Sequence, residues 1–104
     1  MSDSTNSSPI NREISHNVYF DGKVQSLGLE TEQGKATLGV MKKGTYEFST
    51  SSPEKMIVVS GIMDVKLPNV SWEKYMEHDE FNVEANTTFE VMCDTDVAYI
   101  CYYG

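Results

Sequence analysis

The sequence predicts an all-β protein: a single domain folded as a β-barrel of about ten short strands. Runs of β-prone residues recur roughly every eight to twelve residues, and Gly, Asn, Asp, Ser or Pro separate them. No apolar pattern keeps a helical period over three turns, so any helix is expected to be a single turn at most. A chain of 104 residues with 39% hydrophobic residues suits such a barrel, because only alternate side chains must point inward.

Two segments of the chain differ in composition. Residues 1–16 are rich in Ser and Asn, and we expect them to form a flexible polar leader without the apolar run of a signal peptide. Residues 17–104 carry the strand pattern and form the predicted barrel domain. No window approaches the roughly 20 apolar residues that a membrane span requires.

The N-terminal half contains five runs of alternating or continuous apolar residues, each ended by a turn sequence. These predicted strands are 18–20, 23–30, 35–41, 45–50 and 56–59. Alternation places Ala36, Leu38 and Val40 on one face of the third strand. The run 56–59 is apolar throughout, which predicts a strand buried on both faces.

The C-terminal half contains five further runs, at 62–67, 72–76, 81–83, 89–93 and 97–103. Asp94-Thr95-Asp96 is typical of a hairpin turn and would place the last two strands side by side. In that register Cys93 and Cys101 lie too far apart for a disulfide. We interpret both as small buried hydrophobic residues of a protein in the reducing cytoplasm.

The charge balance argues against two classes of partner. The chain carries 16 acidic and 8 basic residues, for a formal net charge of −8. Nucleic acids and anionic membranes both favour a basic surface, so neither is expected to bind. A small anion remains compatible with a local cluster of donors.

The sequence gives little support for a metal site or for a catalytic Ser or Cys nucleophile. His16 lies in the leader and His78 lies in the expected turn at 77–79, so no pair has ligand spacing and no metal or other cofactor is expected. Nothing orients His78 towards a serine or cysteine as a base. There is no Gly-rich phosphate loop that opens onto a helix.

Two segments resemble the conserved motifs of cupins. In the first motif two histidines are followed by a glutamate and, seven residues later, by a glycine; Glu54 and Gly61 keep that spacing. Phe48 and Thr50 stand at the histidine positions. In the second motif Asn86 or a neighbour replaces the histidine. The resemblance implies a cupin-like jelly-roll barrel without the metal-binding histidines.

Residues 17–103 as a whole resemble the pyrimidine/purine nucleoside phosphorylases, a family of short, metal-independent, cupin-fold enzymes. The matching stretches are 19–24, 34–41, 44–50, 54–56, 59–61, 81–83 and 99–102. The resemblance implies a cytoplasmic glycosyltransferase that converts purine or pyrimidine nucleosides and inorganic phosphate into free base and ribose 1-phosphate. A cupin-like domain with one apolar sheet face also implies a homodimer.

The chemistry of phosphorolysis suggests roles for individual residues. Glu54 is the candidate catalytic carboxylate, since it would bind ribose hydroxyls and favour the cationic, oxocarbenium-like ribose. Phosphate requires cations and hydroxyl donors, for which the candidates are Lys23, Lys35, Ser49 and Thr50. The candidates for the base and ribose pocket are Tyr46, Phe48, Met56, Phe81, Phe89 and Tyr99.

Each assignment has an alternative. Lys23 and Lys35 also fit solvated residues beside turns, and Glu54 also fits a surface glutamate after Pro53. Most of the aromatic residues are also suited to the core, and Trp72 to the rim or to a subunit contact. The alternative functions are a non-catalytic module that binds a nucleoside or sugar, and a metal-dependent cupin oxygenase or isomerase.

Overall fold

The computed structural model describes residues 14–104, which contain ten β-strands and one 3-10 turn. The elements are β1 His16–Tyr19, the 3-10 turn Phe20–Gly22, β2 Val24–Thr31, β3 Gly34–Met41, β4 Gly44–Ser49, β5 Glu54–Ser60, β6 Met63–Lys66, β7 Glu73–Tyr75, β8 Glu80–Val83, β9 Thr88–Cys93 and β10 Val97–Tyr103. The all-β prediction, with a single helical turn, is confirmed. Residues 14–104 contain no helix with the length and hydrophobicity of a membrane span.

The predicted leader lies almost entirely outside the described residues. Only its last three residues, 14–16, are described. The Ser15 carbonyl accepts a hydrogen bond from the Gly28 amide at 2.9 Å, and His16 begins β1. The described sheet therefore begins one residue before the predicted domain boundary.

The strands form two antiparallel sheets, as in a jelly roll. One has six strands in the order β1-β2-β3-β10-β5-β8, and the other has four in the order β4-β9-β6-β7. Among the described residues no strand pair joins the two sheets, so the barrel is open rather than closed by backbone hydrogen bonds. The buried apolar residues of both sheets face each other and form one core.

The turn at 94–96 connects the two sheets, so the predicted hairpin is wrong. β9 pairs with β4 and β6, whereas β10 pairs with β3 and β5. The residues on either side of the turn, Cys93 and Val97, are both buried, and the chain crosses the edge of the core between them. Cys93 and Cys101 are free and buried, as predicted.

The prediction that β5 is buried on both faces is also wrong. Met56 and Val58 are buried in the core, but Val59 remains 43% exposed. The reason is that no described element covers the outer face of the six-stranded sheet. On that face Leu27, Leu38, Ile100 and Ile57 stand opposite one another on β2, β3, β10 and β5, which creates a continuous apolar row.

Candidate active site

A cavity of about 420 Å³ lies between the two sheets, beside the edge strand β4. Residues from β1, β2, β4, β5, β9, β10 and the 3-10 turn line it: Tyr19, Phe20, Ser26, Glu47, Phe48, Ser49, Glu54, Met56, Phe89, Tyr99, Cys101 and Tyr103. This volume lies within the range of pockets that hold small organic ligands. Aromatic and aliphatic side chains make up part of the wall, and hydroxyls, a thiol and carboxyl groups make up the rest.

Glu54 points into this cavity because of its phase on β5. It begins the strand after Pro53, and alternation places it on the same face as the buried Met56 and Val58. Its direct partner across the strands is Tyr103. The Cys101 Sγ–H donates to Glu54 Oε1 at 3.4 Å. Glu54 is thus a half-buried carboxyl whose neighbours on the next strand are a thiol and a phenol.

Burial determines the protonation of this group of side chains. It raises the pKa of the Glu54 carboxyl, and the hydrogen bond from Cys101 offsets only part of this effect. Burial, followed by the charge of Glu54, raises the pKa of the Cys101 thiol to about 12. A protonated thiol is a poor nucleophile, so Cys101 is suited to donating a hydrogen bond rather than to covalent catalysis.

Two tyrosine hydroxyls lie in the same wall. Burial raises the pKa of Tyr103 to about 12 and also raises the pKa of Tyr99. Both therefore stay protonated at neutral pH and can donate hydrogen bonds. The Tyr103 hydroxyl shares a hydrogen bond of 2.9 Å with the hydroxyl of Thr37 on β3, which orients it. On β2, Ser26 accepts a hydrogen bond from Asn17 Nδ2 at 3.2 Å.

Aromatic rings bridge the edges of the two sheets where backbone pairing is missing. The ring of Phe20 lies 5.0 Å from that of Tyr46 and 5.6 Å from that of Phe48, measured between centroids. Phe48 in turn lies 5.8 Å from Phe89 on the neighbouring strand β9. These contacts connect the 3-10 turn of one sheet to β4 of the other and form the apolar wall of the cavity.

The structure brings six of the sequence-predicted site residues into the cavity wall: Phe48, Ser49, Glu54, Met56, Phe89 and Tyr99. Ser49 shares a hydrogen bond of 3.0 Å with the hydroxyl of Thr88. Of this group, inward phases on β4, β9 and β10 identified Phe48, Phe89 and Tyr99, and the cupin motif identified Glu54.

Three other predicted residues have structural partners away from the cavity. Thr50 is buried, and its hydroxyl donates to the Glu84 carbonyl at 2.6 Å and accepts from the Thr87 amide at 3.1 Å. Tyr46 is buried and donates to the Lys42 carbonyl at 2.7 Å. Phe81 packs in the core, and its ring lies 4.6 Å from that of Tyr75. Their positions are those of core and loop-fixing residues.

The two predicted lysines lie outside the cavity wall. Lys23 is exposed and follows the 3-10 turn. Lys35 is also exposed, but it stands two residues before Thr37 on β3 and therefore on the same face of the sheet. Since Thr37 contacts the Tyr103 hydroxyl, Lys35 lies close to the Tyr103 and Glu54 end of the cavity.

Several wall residues are not among those predicted from the sequence. Cys101 and Tyr103 share the inward phase of Tyr99 on β10, which could have identified them. On β2 the polar Ser26 lies between Val24 and Gly28 on the inward face, and a polar residue in that phase could likewise have indicated a cavity. Phe20 gave no such signal, because its position depends on the conformation of the turn.

The two residues at the histidine positions of the cupin motif lie in different parts of this fold. Phe48 lines the cavity, whereas Thr50 fixes the loop at 84–87. Within residues 14–104 no three His, Cys, Asp or Glu side chains stand close enough together to hold a metal ion.

Comparison with solved structures supports the cupin-like fold. A cupin of the RmlC-like type from Shewanella frigidimarina superposes with a TM-score of 0.67 at 20% identity and covers 95% of this chain and 88% of its own. A protein of unknown function from Vibrio parahaemolyticus superposes with a TM-score of 0.82 at 39% identity, over 86% of this chain and 96% of its own. The predicted fold class is therefore confirmed.

Sequence comparison identifies the family. The family model for pyrimidine/purine nucleoside phosphorylase matches residues 14–103. A pyrimidine/purine nucleoside phosphorylase of Pseudomonas fluorescens is 50% identical over 88 residues, which cover 84% of this chain and 94% of the relative. One of Hahella chejuensis is 48% identical over 89 residues, or 85% and 96% of the two chains. This chain belongs to the pyrimidine/purine nucleoside phosphorylase family.

Proposed function

We propose that this protein catalyses phosphorolysis of purine and pyrimidine nucleosides, and that the cavity around Glu54 is its active site. Membership of the family supports the reaction class. The assignment of the active site rests on the half-buried Glu54 carboxyl, which lies in a cavity of nucleoside size. Hydroxyl and thiol donors and an aromatic wall surround it. The reaction is a glycosyl transfer that needs no cofactor.

In this reaction the bond between the base nitrogen and ribose C1′ breaks, and its electron pair leaves with the base. An oxygen of monohydrogen phosphate then forms the new bond to C1′, and the proton which that phosphate loses balances the one that the base nitrogen takes up. Positive charge develops on the ribose between these events. The Glu54 carboxylate is poorly solvated, so it gains more from an adjacent positive charge than a carboxylate in water would. Its role is to stabilise that charge.

The uncharged hydrogen-bond donors beside Glu54 are suited to binding the hydroxyls of ribose. A sugar hydroxyl can donate to a carboxylate and accept from a phenol, and Tyr103 stands directly opposite Glu54 across the strands. The hydrogen bond between Cys101 and Glu54 Oε1 leaves Oε2 without a partner within the described residues. We assign the ribose to this end of the cavity and the base to the aromatic wall.

Phosphate is assigned to a position beside the ribose, near the Glu54 and Tyr103 end of the cavity. The Ser49 hydroxyl lies in the wall, and Lys35 shares the cavity-facing side of β3. A lysine there would offset the repulsion that Glu47 and Glu54 exert on an anion. Lys23 lines a different depression together with Lys42, and the Thr50 hydroxyl is hydrogen-bonded to the loop at 84–87, so we place both outside the phosphate site.

We also propose that the protein acts in the cytoplasm as a homodimer. Two free, buried cysteines suit a reducing compartment. The apolar row on the outer face of the six-stranded sheet suits a second copy of the chain, since a two-fold axis places the same row on both partners.

The direct test is to incubate the purified protein with inosine, adenosine and uridine, with and without inorganic phosphate. We expect base release that depends on phosphate and is matched mole for mole by ribose 1-phosphate. Binding of nucleosides without base release would instead support the non-catalytic binding module. Loss of activity in EDTA, restored by a metal, would support a metal-dependent cupin enzyme.

Substitution of Lys35 tests the phosphate assignment. We expect Lys35→Ala to raise the phosphate concentration for half-maximal rate about tenfold, which corresponds to the loss of one charge-assisted hydrogen bond. The KM for inosine should change little. Lys66→Ala, on a strand of the other sheet, is the control. Unchanged phosphate dependence in Lys35→Ala would remove Lys35 from the site.

A further inference from the structure

The 3-10 turn after β1 has an unusual backbone. Phe20, Asp21 and Gly22 are three consecutive residues with positive φ, at 52°, 57° and 88°. Glycine adopts this region freely, but a bulky aromatic residue seldom does. Strain of this kind persists only where the surrounding structure enforces it, and it is concentrated at functional sites.

Hydrogen bonds on both sides hold the turn in this conformation. The Lys23 amide donates to the Phe20 carbonyl at 3.1 Å, and Gln25 Nε2 donates to the Gly22 carbonyl at 3.0 Å. The Lys42 amide donates to the Lys23 carbonyl at 2.8 Å and ties the turn to the end of β3. The backbone is therefore fixed, and the direction of the Phe20 side chain is fixed with it.

This conformation directs the Phe20 ring over the cavity instead of into the core. The ring contacts Tyr46 and Phe48 and lines the cavity, yet the residue remains 43% exposed. Phe89, by contrast, is buried between Phe48 and Phe81. Of the phenylalanines in the wall, Phe20 is the one with a large exposed surface that a ligand can cover.

We propose that Phe20 is the residue on which the nucleobase stacks, and that it contributes to the preference between purines and pyrimidines. This inference rests on the proposed function, because it takes a nucleoside as the ligand of the cavity. Stacking requires a π-face but no fixed pattern of donors and acceptors, so one ring can serve both base classes. A two-ring base overlaps a phenyl ring more fully, and purine nucleosides should depend on Phe20 more strongly than uridine does.

A fluorescent reporter tests the contact directly. Trp72 is the only tryptophan, and it lies in the exposed segment between β6 and β7, outside the cavity wall. Trp72→Phe combined with Phe20→Trp therefore leaves a single indole at the cavity mouth. Without phosphate, we expect inosine to quench its emission saturably and ribose to leave it unchanged. Wild-type protein, with Trp72 as its fluorophore, should not respond. Absence of quenching at millimolar inosine would overturn the proposal.

The nucleoside affinity of a variant with a smaller side chain at position 20 provides a second measurement. Phe20→Leu keeps an apolar side chain but removes the π-face, and we expect inosine to bind about tenfold more weakly and uridine to lose less. Trp72→Leu removes an exposed aromatic outside the cavity and should leave both affinities unchanged. A thermal melt establishes that each variant is folded. Equal affinities of folded Phe20→Leu and wild type for inosine would contradict the assignment.

The outcome separates this proposal from the proposed reaction. The fluorescence titration contains no phosphate and requires no turnover. Saturable quenching without phosphorolysis would support the stacking role and refute the reaction, whereas phosphorolysis without quenching would refute the stacking role alone.

Discussion

Glu54 shows how burial changes the chemistry of one side chain. The carboxyl lies at the start of β5, half-buried, with the Cys101 thiol as hydrogen-bond donor and Tyr103 opposite. A thiol is a weak donor and compensates poorly for lost hydration. The carboxylate therefore interacts strongly with any positive charge that develops beside it.

The first prediction at this scale concerns activity. We expect Glu54→Gln to lower kcat for phosphorolysis about 10²- to 10³-fold, and to change KM much less, because the lost interaction is strongest in the transition state. Steady-state kinetics with inosine at saturating phosphate measure both values. Glu32→Gln, in the exposed turn between β2 and β3, is the control and should keep wild-type rates. A kcat within twofold of wild type for Glu54→Gln would show that the catalytic carboxylate lies elsewhere.

The second prediction concerns stability against pH. Burial raises the folded-state pKa of Glu54 above its unfolded value of about 4.3. The folded state then binds the proton more tightly, so wild-type stability falls as the pH rises from the unfolded pKa through the raised folded one. Gln cannot ionise, yet its amide oxygen can still accept from Cys101. We expect thermal melts of Glu54→Gln to match wild type near pH 4 and to exceed it by a few degrees at most near pH 7.

The same melts on Glu32→Gln provide the control, since that side chain lies on an exposed turn. If Glu54→Gln were less stable than wild type at pH 7, the carboxylate would have a stabilising partner that contradicts this account.

At the scale of the elements, close packing of β3 against β10 positions Tyr99 in the cavity wall. Gly39 and Tyr99 are direct cross-strand partners, and a Cβ on Gly39 would overlap the Tyr99 ring. The ring lies over the glycine, where any larger residue would displace it. The sequence requires glycine here for space, since the backbone of β3 is extended.

We therefore expect Gly39→Ala to destabilise the protein by about 1–3 kcal/mol, the usual cost of overpacking a core. Urea denaturation measures this change. Gly28→Ala on β2 is a matched control, since its added Cβ would meet the hydroxyl of the exposed Ser15, which can rotate away. Equal losses in the two variants would show that overlap with the Tyr99 ring does not determine the cost, since the change from Gly to Ala in an extended strand by itself favours folding.

At the scale of the whole molecule, the six-stranded sheet presents an apolar row on its outer face. Leu38 is 48% exposed at the centre of this row, with Leu27 and Ile100 on either side. Large contiguous apolar surfaces on a small protein usually mark an interface. A dimer of standard size covers about 800 Å² per partner.

We expect wild-type protein to sediment as a dimer at micromolar concentration and Leu38→Glu to sediment as a monomer, because each two-fold interface would bury two unpaired carboxylates. Val70→Glu introduces the same charge at an exposed apolar position between β6 and β7, and should stay dimeric. Analytical ultracentrifugation distinguishes these states. A monomeric wild type would refute the proposed partner.

Which residues share a face could be predicted from the sequence alone for the strands with alternating patterns. Alternation places Tyr46 and Phe48 on one side of β4, whereas the cupin motif, rather than alternation, pointed to Glu54. The turn at 94–96 was also recognised, but its role was not. A turn sequence encodes a local reversal of the chain, and a hairpin and a crossover between sheets have the same local signal.

The composition of the site was decided by tertiary structure. Phe48, Glu54 and Tyr99 come from different strands, and only the pairing of those strands shows that they surround one cavity, whereas Phe81 on an equally apolar phase lies in the core. Phe20 required a left-handed backbone that hydrogen bonds from Gln25 and Lys42 stabilise. The physical reason is that the inward or outward direction of a side chain depends on its own strand, while its neighbours in space depend on register between strands far apart in sequence.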